Sequence, residues 1–235
     1  MPTEMKVLST TAMKTSIDEL MPAFERATGL APVFTFAPSA RITKMVEDGE
    51  FCDAAITTGP SLDDLIKQGR IVDGTRKDIA RSAMALAVQK GAPRPDISTV
   101  EGFKRALLAA KSLGMSNPVG GGQSGANLVK IFDQLGIADA MKPKCLYGPG
   151  GPAGLIGNYL VRKEVEIGIQ QLPELMAVPG IDIVGPLPDG IQSKTVFAIG
   201  VSTAAKHADG ARALIAHLAT PQAAKVMRDK GMETP

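Results

Sequence analysis

Three hydroxyl side chains stand together where the first apolar run of the chain ends, in the segment LSTTAMKTSIDEL that covers residues 8–20. They belong to Ser9, Thr10 and Thr11, and no charged residue lies among them. A single Ser or Thr is enough to cap a helix, because one side-chain oxygen accepts a free N–H group at the helix start. The cluster is therefore either redundant capping or a set of hydrogen-bond donors for a ligand.

Three further segments place a hydroxyl group or glycine backbone just before a predicted helix. Ser39 follows Pro38, Ser124 and Gly125 follow the run SNPVGGG, and the segment GPGGPAGLIG precedes another helix. The run GGGQSG lacks the Lys-Ser/Thr pair of a P-loop. Helix N-termini carry free N–H groups and positive partial charge. Because acidic side chains are absent from these turns, the four segments together predict an anion site.

The order of apolar and amphipathic runs predicts an α/β fold. Short strands alternate with helices over 12–28, Ser39–Glu47 and SLDDLIKQG, which is the pattern of a parallel sheet covered by helices. We predict one longer strand over 79–88, a helix over AGLIGNYLVRKE, and strands at VEIGIQ, GIDIVGPLP and KTVFAIGV. The last thirty residues predict two helices around Thr220 and Pro221.

Two series of strand–helix units, joined by extended segments, predict two lobes. The chain is expected to cross between them near 80–88 and again near 194–201. Lobe one then comprises 1–82 plus 195–235, and lobe two comprises 83–194. Ligands of such sheets bind beyond the carboxyl ends of the strands, where the helices begin.

The composition excludes several classes of function. A net charge of +2 without long basic runs argues against nucleic acid as a partner, and aromatic residues make up only 4%. No apolar stretch approaches the roughly 20 residues of a membrane span. Only two histidines are present, His207 and His217, so a metal centre is not expected, and no cofactor motif is found.

The cysteines and the first residues bear on the cellular compartment. Cys52 and Cys145 can form one disulfide, but two buried free thiols is the simpler interpretation. The first twenty residues are charged and carry no export signal. If Met1 is the native start, the sequence predicts a cytoplasmic protein.

The chain resembles type II periplasmic substrate-binding proteins, of the branch typified by molybdate-binding proteins, over nearly its whole length. The matching features are the hydroxyl turn after the first strand, the segment FAPSARITKMVEDGEFCDAAI, the Ser-Asn-Pro before a Ser-Gly helix start, the strand EVEIGI, and the closing ALIAHLATPQAAKVMRDKGMET. The resemblance implies a two-lobe α/β fold with two hinge crossings and a ligand cleft between the lobes. It also implies a periplasmic location for a trimmed chain, a small anionic ligand, an ABC permease as partner, and a monomer.

The resemblance also implies which residues bind the ligand. They are hydroxyl groups and backbone donors in lobe one and lobe two: Ser9, Thr10, Thr11, Ser39, Ser124, Gly125, Ala153 and Gly154. Molybdate-binding proteins usually have Tyr after the Gly-Ile strand, whereas this chain has Gln170 and Gln171, and Arg41 follows the second loop. An Arg fork and two amides suit planar carboxylates better than a tetrahedral oxyanion. The ligand is therefore expected to be a di- or tricarboxylate rather than molybdate.

Two functions remain open at this point. One is a binding protein that delivers a small anion to a transporter, or a relative without that partner. The other is an isomerase, because the branch is also similar to aconitate isomerase, which moves a double bond by proton abstraction and return. An isomerase needs a base with a pKa near the working pH. No such base is evident, since both histidines are expected to be exposed and Lys14 is expected to be paired on the surface.

Overall fold

The chain folds as two compact units. The computed structural model describes residues 3–120 and 122–235. The first unit comprises Met1–Ser82 with Thr195–Pro235, and the second comprises Ala83–Lys194. Each unit contains one five-stranded sheet with helices on its faces, so the predicted α/β class is confirmed.

The sheet of the first unit has the order β2-β1-β3-β10-β4. Its strands are β1 Thr3–Thr10, β2 Leu30–Ala37, β3 Ala54–Thr58, β4 Lys77–Ser82 and β10 Thr195–Val201. Strands β1, β2 and β3 are parallel, and β10 is antiparallel to both β3 and β4. The helices are α1 Lys14–Thr28, α2 Ser39–Glu47, α3 Gly59–Lys67, α9 Ala208–Leu218 and α10 Pro221–Asp229, with a 3₁₀ turn Thr11–Met13 before α1.

Alternation along β1 explains why this sheet is covered on both faces. Successive side chains of a strand point to opposite faces, and Val7 packs in the core with α1, α9 and α10, whereas Leu8 packs in the core with α2 and α3. Both side chains are completely buried. Strand β1 is therefore buried on both faces, and the carboxyl ends of the parallel strands β1, β2 and β3 lie at the same end of the sheet.

The sheet of the second unit has the order β7-β6-β8-β5-β9. Its strands are β5 Met84–Gln89, β6 Leu113–Ser116, β7 Cys145–Gly148, β8 Ile167–Gln171 and β9 Ile181–Pro186. Strands β6, β7 and β8 are parallel, and β5 is antiparallel to β8 and β9. The helices are α4 Val100–Ala109, α5 Gln123–Leu135, α6 Ala138–Met141, α7 Ile156–Val161 and α8 Leu172–Met176.

Two sequence predictions were wrong, and two short elements were not predicted. The single strand over 79–88 is two strands, β4 and β5, separated at Ala83. The helix over AGLIGNYLVRKE is a 3₁₀ turn Pro152–Gly154 followed by the six-residue α7, because Leu155 is extended with φ −63° and ψ 124°. Strand β7 and helix α8 were missed, since four and five residues are too short to show a period.

Both cysteines are free thiols. Cys52 is buried, and burial raises its pKa to about 11, whereas Cys145 is only half-buried. Among the helices described, none has the length and apolar character needed to cross a membrane.

We expect Lys163→Gly to stabilise the second unit by about 1 kcal/mol, because the left-handed conformation is costly for a residue with a Cβ. Lys163 lies just after α7 with φ 60°, and its N–H bonds to the Leu160 carbonyl at 3.0 Å. Thermal unfolding measures the change. Gly136→Ala at the end of α5, where φ is +65° in open space, should shift stability the opposite way. A loss of stability in Lys163→Gly would contradict the prediction.

Candidate functional site

The hydroxyl cluster at the end of β1 is not a cap. Thr10 precedes the 3₁₀ turn and Met13 precedes α1, and neither side chain makes a capping hydrogen bond. Instead, Thr10 Oγ1 lies 2.8 Å from Ser39 Oγ, the first residue of α2. Both side chains are at least 95% buried. The parallel register pairs Thr10 with Ala37, which brings the ends of β1 and β2 together.

The bond between Thr10 and Ser39 leaves one hydrogen unused. Each hydroxyl has one hydrogen to donate, and the pair needs only one of them for its mutual bond. The second hydrogen is available to an acceptor outside the pair. Buried donors are normally satisfied, so this edge is suited to a ligand that accepts hydrogen bonds.

The neighbouring hydroxyl groups have different roles. Ser9 Oγ donates to the Thr10 carbonyl at 3.3 Å, so it serves the local backbone. Thr11 Oγ1 is buried without a hydrogen-bond partner among the described residues. Thr43 and Thr57, which no sequence motif marks, both donate their hydroxyl hydrogens to the Ser39 carbonyl, at 3.0 and 3.2 Å. They fix the first turn of α2 and therefore the position of Ser39.

Neither of the two cations considered from the sequence has a hydrogen bond to this hydroxyl cluster among the described residues. Arg41 is exposed on α2. Lys14 Nζ forms an ion pair with Asp18 at 2.6 Å and lies 5.2 Å from the centre of the Phe36 ring. Lys14 is thus paired, as the sequence predicted, and is not a desolvated base.

In the second unit the corresponding donors lie where β6 leads into α5. Ser124 Oγ donates to Ser116 Oγ at 3.2 Å, and both side chains are buried. Gly125 is needed here, because a Cβ at this position would lie 2.0 Å from the Ser116 carbonyl oxygen. The close approach places the first turn of α5 directly on the end of β6. The N–H groups of a first turn have no partner within the helix.

Gln170 and Gln171, which follow the Gly-Ile pair, are both buried. Gln170 Oε1 accepts the Ile156 N–H at 2.8 Å, and its Nε2 donates to Ser116 Oγ at 3.4 Å. Gln170 therefore serves the interior of this unit, which removes one of the two amides expected to bind a carboxylate. Ser116 accepts from both Ser124 and Gln170, so its own hydroxyl hydrogen is free to donate outward.

The fourth predicted segment contributes less than expected. Ala153 is exposed, and the Gly154 N–H donates to the Gly151 carbonyl at 3.0 Å. That donor is therefore already used within the loop.

One carboxyl group lies at these junctions. Among the described residues, the first helical turns that follow β1, β2, β3, β6 and β7 contain no acidic side chain, whereas the first turn of α8 after β8 contains Glu174. Burial raises the pKa of Glu174 to about 8, and a hydrogen bond from the Gln171 backbone lowers it in part. The group is therefore largely neutral at pH 7 and does not oppose an anion. The sequence signal was Pro173 and Glu174 together, a pair typical of a helix start.

The two histidines do not lie at the carboxyl ends of the parallel strands. His217 Nε2 lies 3.3 Å from the Leu20 carbonyl oxygen, and its ring centre lies 5.5 Å from that of Phe24 in α1. His207 precedes α9 and, like His217, is partly buried rather than exposed. Neither residue follows the carboxyl end of a parallel strand.

Comparison with known proteins identifies the class that this fold and these sites define. Residues 5–233 match the family described as bacterial extracellular solute-binding protein. The chain belongs to this family, in its type II branch related to molybdate-binding proteins, as the sequence resemblance predicted.

The chain is also similar to individual proteins of this kind. The chain is 35% identical to the aconitate isomerase of a Pseudomonas species over 98% of this chain and 88% of that protein. It is 21% identical to the molybdate-binding protein ModA of Escherichia coli strain K12 over 96% of this chain and 87% of that one. The periplasmic molybdate-binding protein of Azotobacter vinelandii shares the fold with a TM-score of 0.82 at 17% identity, covering 98% of this chain and 99% of that chain.

Proposed function

We propose that the protein binds a small di- or tricarboxylate. The observation that carries the proposal is the 35% identity with an aconitate isomerase over 98% of the chain, against 21% with a molybdate-binding protein. The hydroxyl pairs Thr10–Ser39 and Ser116–Ser124 support it, since each leaves a hydrogen for an anionic acceptor. Family membership supports an ABC permease as the partner of a binding protein of this kind.

Calorimetry with a panel of probes tests the ligand class. We expect trans-aconitate and citrate to bind more tightly than molybdate and sulfate. Tighter binding of the two inorganic oxyanions would refute the carboxylate assignment.

The donors of the first unit are tested by replacing Thr10 with Val and Ser39 with Ala together. A hydrogen bond to a charged group contributes roughly 1.5–3 kcal/mol, so we expect the binding free energy of trans-aconitate to weaken by about 2–5 kcal/mol. Titration calorimetry measures the loss.

The matched control for this double variant is Thr58→Ala. Like Thr10, Thr58 is the last residue of a parallel strand, but its hydroxyl accepts the Ser61 N–H at 3.4 Å and caps α3. The control should cost about 1 kcal/mol of folding and leave affinity unchanged. Wild-type affinity in the double variant would mean that the Thr10–Ser39 pair is purely structural.

A second candidate function is isomerisation of an unsaturated tricarboxylate. The same 35% identity favours it, because that relative is named for this activity. Incubation with trans-aconitate and detection of the cis isomer distinguishes an enzyme from a binding protein.

A further inference from the structure

The carboxyl group of Glu174 has no counterpart at the other strand-to-helix junctions. Six parallel strands lead into helices in the two units, and among their described first turns only α8 carries an acidic residue. Its carboxylate bonds to the backbone of Gln171, the last residue of β8. The group therefore lies at the carboxyl edge of the second sheet, where ligands of such sheets bind.

No charged side chain contributes to the raised pKa of Glu174. Helix α8 packs on α7, β5, β8 and β9. Strands β5 and β8 contain no titratable side chain, α7 contributes Tyr159, and β9 contributes Asp182. Asp182 accepts the Gly91 N–H at 2.9 Å and lies 3.8 Å from Arg94, and neither Tyr159 nor Asp182 contributes to the raised pKa of Glu174.

Two other groups considered as bases, Lys14 and His217, make contacts of a different kind. Lys14 is paired with Asp18, and His217 packs against α1. Glu174 is half-buried, so part of its surface is open to solvent. We propose that Glu174 is the catalytic acid–base residue of this protein, exchanging a proton with a bound unsaturated tricarboxylate; the inference rests on the isomerase function proposed above.

Glu174 alone can balance the proton transfer, and hydrogen-bond donors that bind the carboxylates would stabilise the charge that develops on the substrate. The carboxylate removes a proton from the methylene carbon next to a carboxylate and double bond, and the C–H electrons move into an allylic anion. The same proton, now on Glu174, is returned to the former vinyl carbon, so the C=C bond shifts by one position without oxidation or reduction. A base with a pKa near 8 suits such a transfer near neutral pH.

Glu174→Gln separates catalysis from helix capping. Gln at this position keeps the hydrogen bond to the helix start, because both Glu and Gln complete a capping box, but it cannot take a proton. We expect the variant to bind trans-aconitate within about threefold of wild type by calorimetry. Its rate of cis-aconitate formation should fall by at least about 100-fold.

The matched control is Glu166→Gln at the opposite end of β8. Glu166 also accepts a backbone N–H, from Lys111 at 2.7 Å, and is exposed. Its variant should keep the wild-type rate. The wild-type rate should rise with pH through about 8, as the carboxylate of Glu174 forms, and this rise should be absent in Glu174→Gln.

A ligand-free measurement tests the environment of Glu174 by itself. The pKa of Glu174 is raised from 4.5 to about 8 in the folded protein, so the folded state loses stability as the pH rises between these values. Thermal unfolding should show Glu174→Gln gaining stability relative to wild type across that range. A constant difference would overturn the inference.

The outcomes distinguish the inference from the function on which it rests. An unchanged isomerisation rate in Glu174→Gln, or a rate that falls only in proportion to lost binding, overturns the catalytic role. Suppose that the wild-type protein binds trans-aconitate but neither forms the cis isomer nor exchanges the methylene protons of the ligand in deuterium oxide. That result overturns catalysis and leaves the proposed carboxylate binding intact. Wild-type protein that does not bind trans-aconitate overturns both.

Discussion

Asp53→Ala should remove about 3–5 kcal/mol from the free energy of unfolding of the first unit. The Asp53 carboxylate is completely buried and accepts three backbone N–H groups, each at 2.8 Å, from Lys6, Lys206 and His207. It therefore joins β1 to the turn before α9. An unsatisfied buried donor costs about 1–3 kcal/mol, and three are left in the variant. Denaturant unfolding measures the loss.

Two variants calibrate the Asp53 result. Asp209→Ala removes an exposed carboxylate from the first turn of α9 and should cost less than about 1 kcal/mol. Asp53→Asn keeps one accepting oxygen and should fall between wild type and Asp53→Ala. If Asp53→Ala is no less stable than Asp209→Ala, the three donors find other acceptors.

Gly125→Ala should destabilise the second unit by about 2–3 kcal/mol, although alanine is the better helix former by about 1 kcal/mol. The added methyl group would lie 2.0 Å from the Ser116 carbonyl oxygen and 3.1 Å from the Pro118 nitrogen, both of which are backbone atoms. The first turn of α5 must move away from β6. We expect affinity for trans-aconitate to fall at least tenfold as well, because the donors of that turn move with it.

The control for Gly125→Ala is Gly120→Ala in the preceding turn. Its Cβ would meet only the Asn117 side chain, at 3.4–3.5 Å, which is ordinary contact. Thermal unfolding and calorimetry on both variants separate a specific steric clash at Gly125 from the general loss of backbone flexibility when glycine is replaced by alanine. A Gly125→Ala protein as stable as wild type would show that α5 can begin elsewhere.

Local sequence cannot decide between helix capping and ligand binding for Ser9, Thr10 and Thr11. The cluster was recognised, but whether it caps a helix depends on where the following helix begins. Because a 3₁₀ turn comes first, α1 begins at Lys14. The Thr10 hydroxyl forms a hydrogen bond with that of Ser39, 29 residues away. Contacts of that separation have no signature in local sequence.

Gln170 shows the same limit in the second unit. The sequence predicts Gln170 at the end of a buried strand, and β8 is buried and contains it. Its amide was expected to face a ligand, yet it satisfies Ile156 and Ser116. The partner of a buried amide is decided by which backbone groups the packing leaves unsatisfied.

The sequence by itself determined the α/β class, the family, and most of the strand-to-helix junctions, because period-2 and period-3.6 patterns and turn residues are local properties. Tertiary structure alone decided which hydroxyls pair, which amides are already used, and that Glu174 is a partly buried carboxyl at a sheet edge. Short elements such as α8 carry too few residues for a pattern, so they form where longer neighbours pack around them. The raised pKa of Glu174 has the same origin, since desolvation is produced by chain segments distant in sequence.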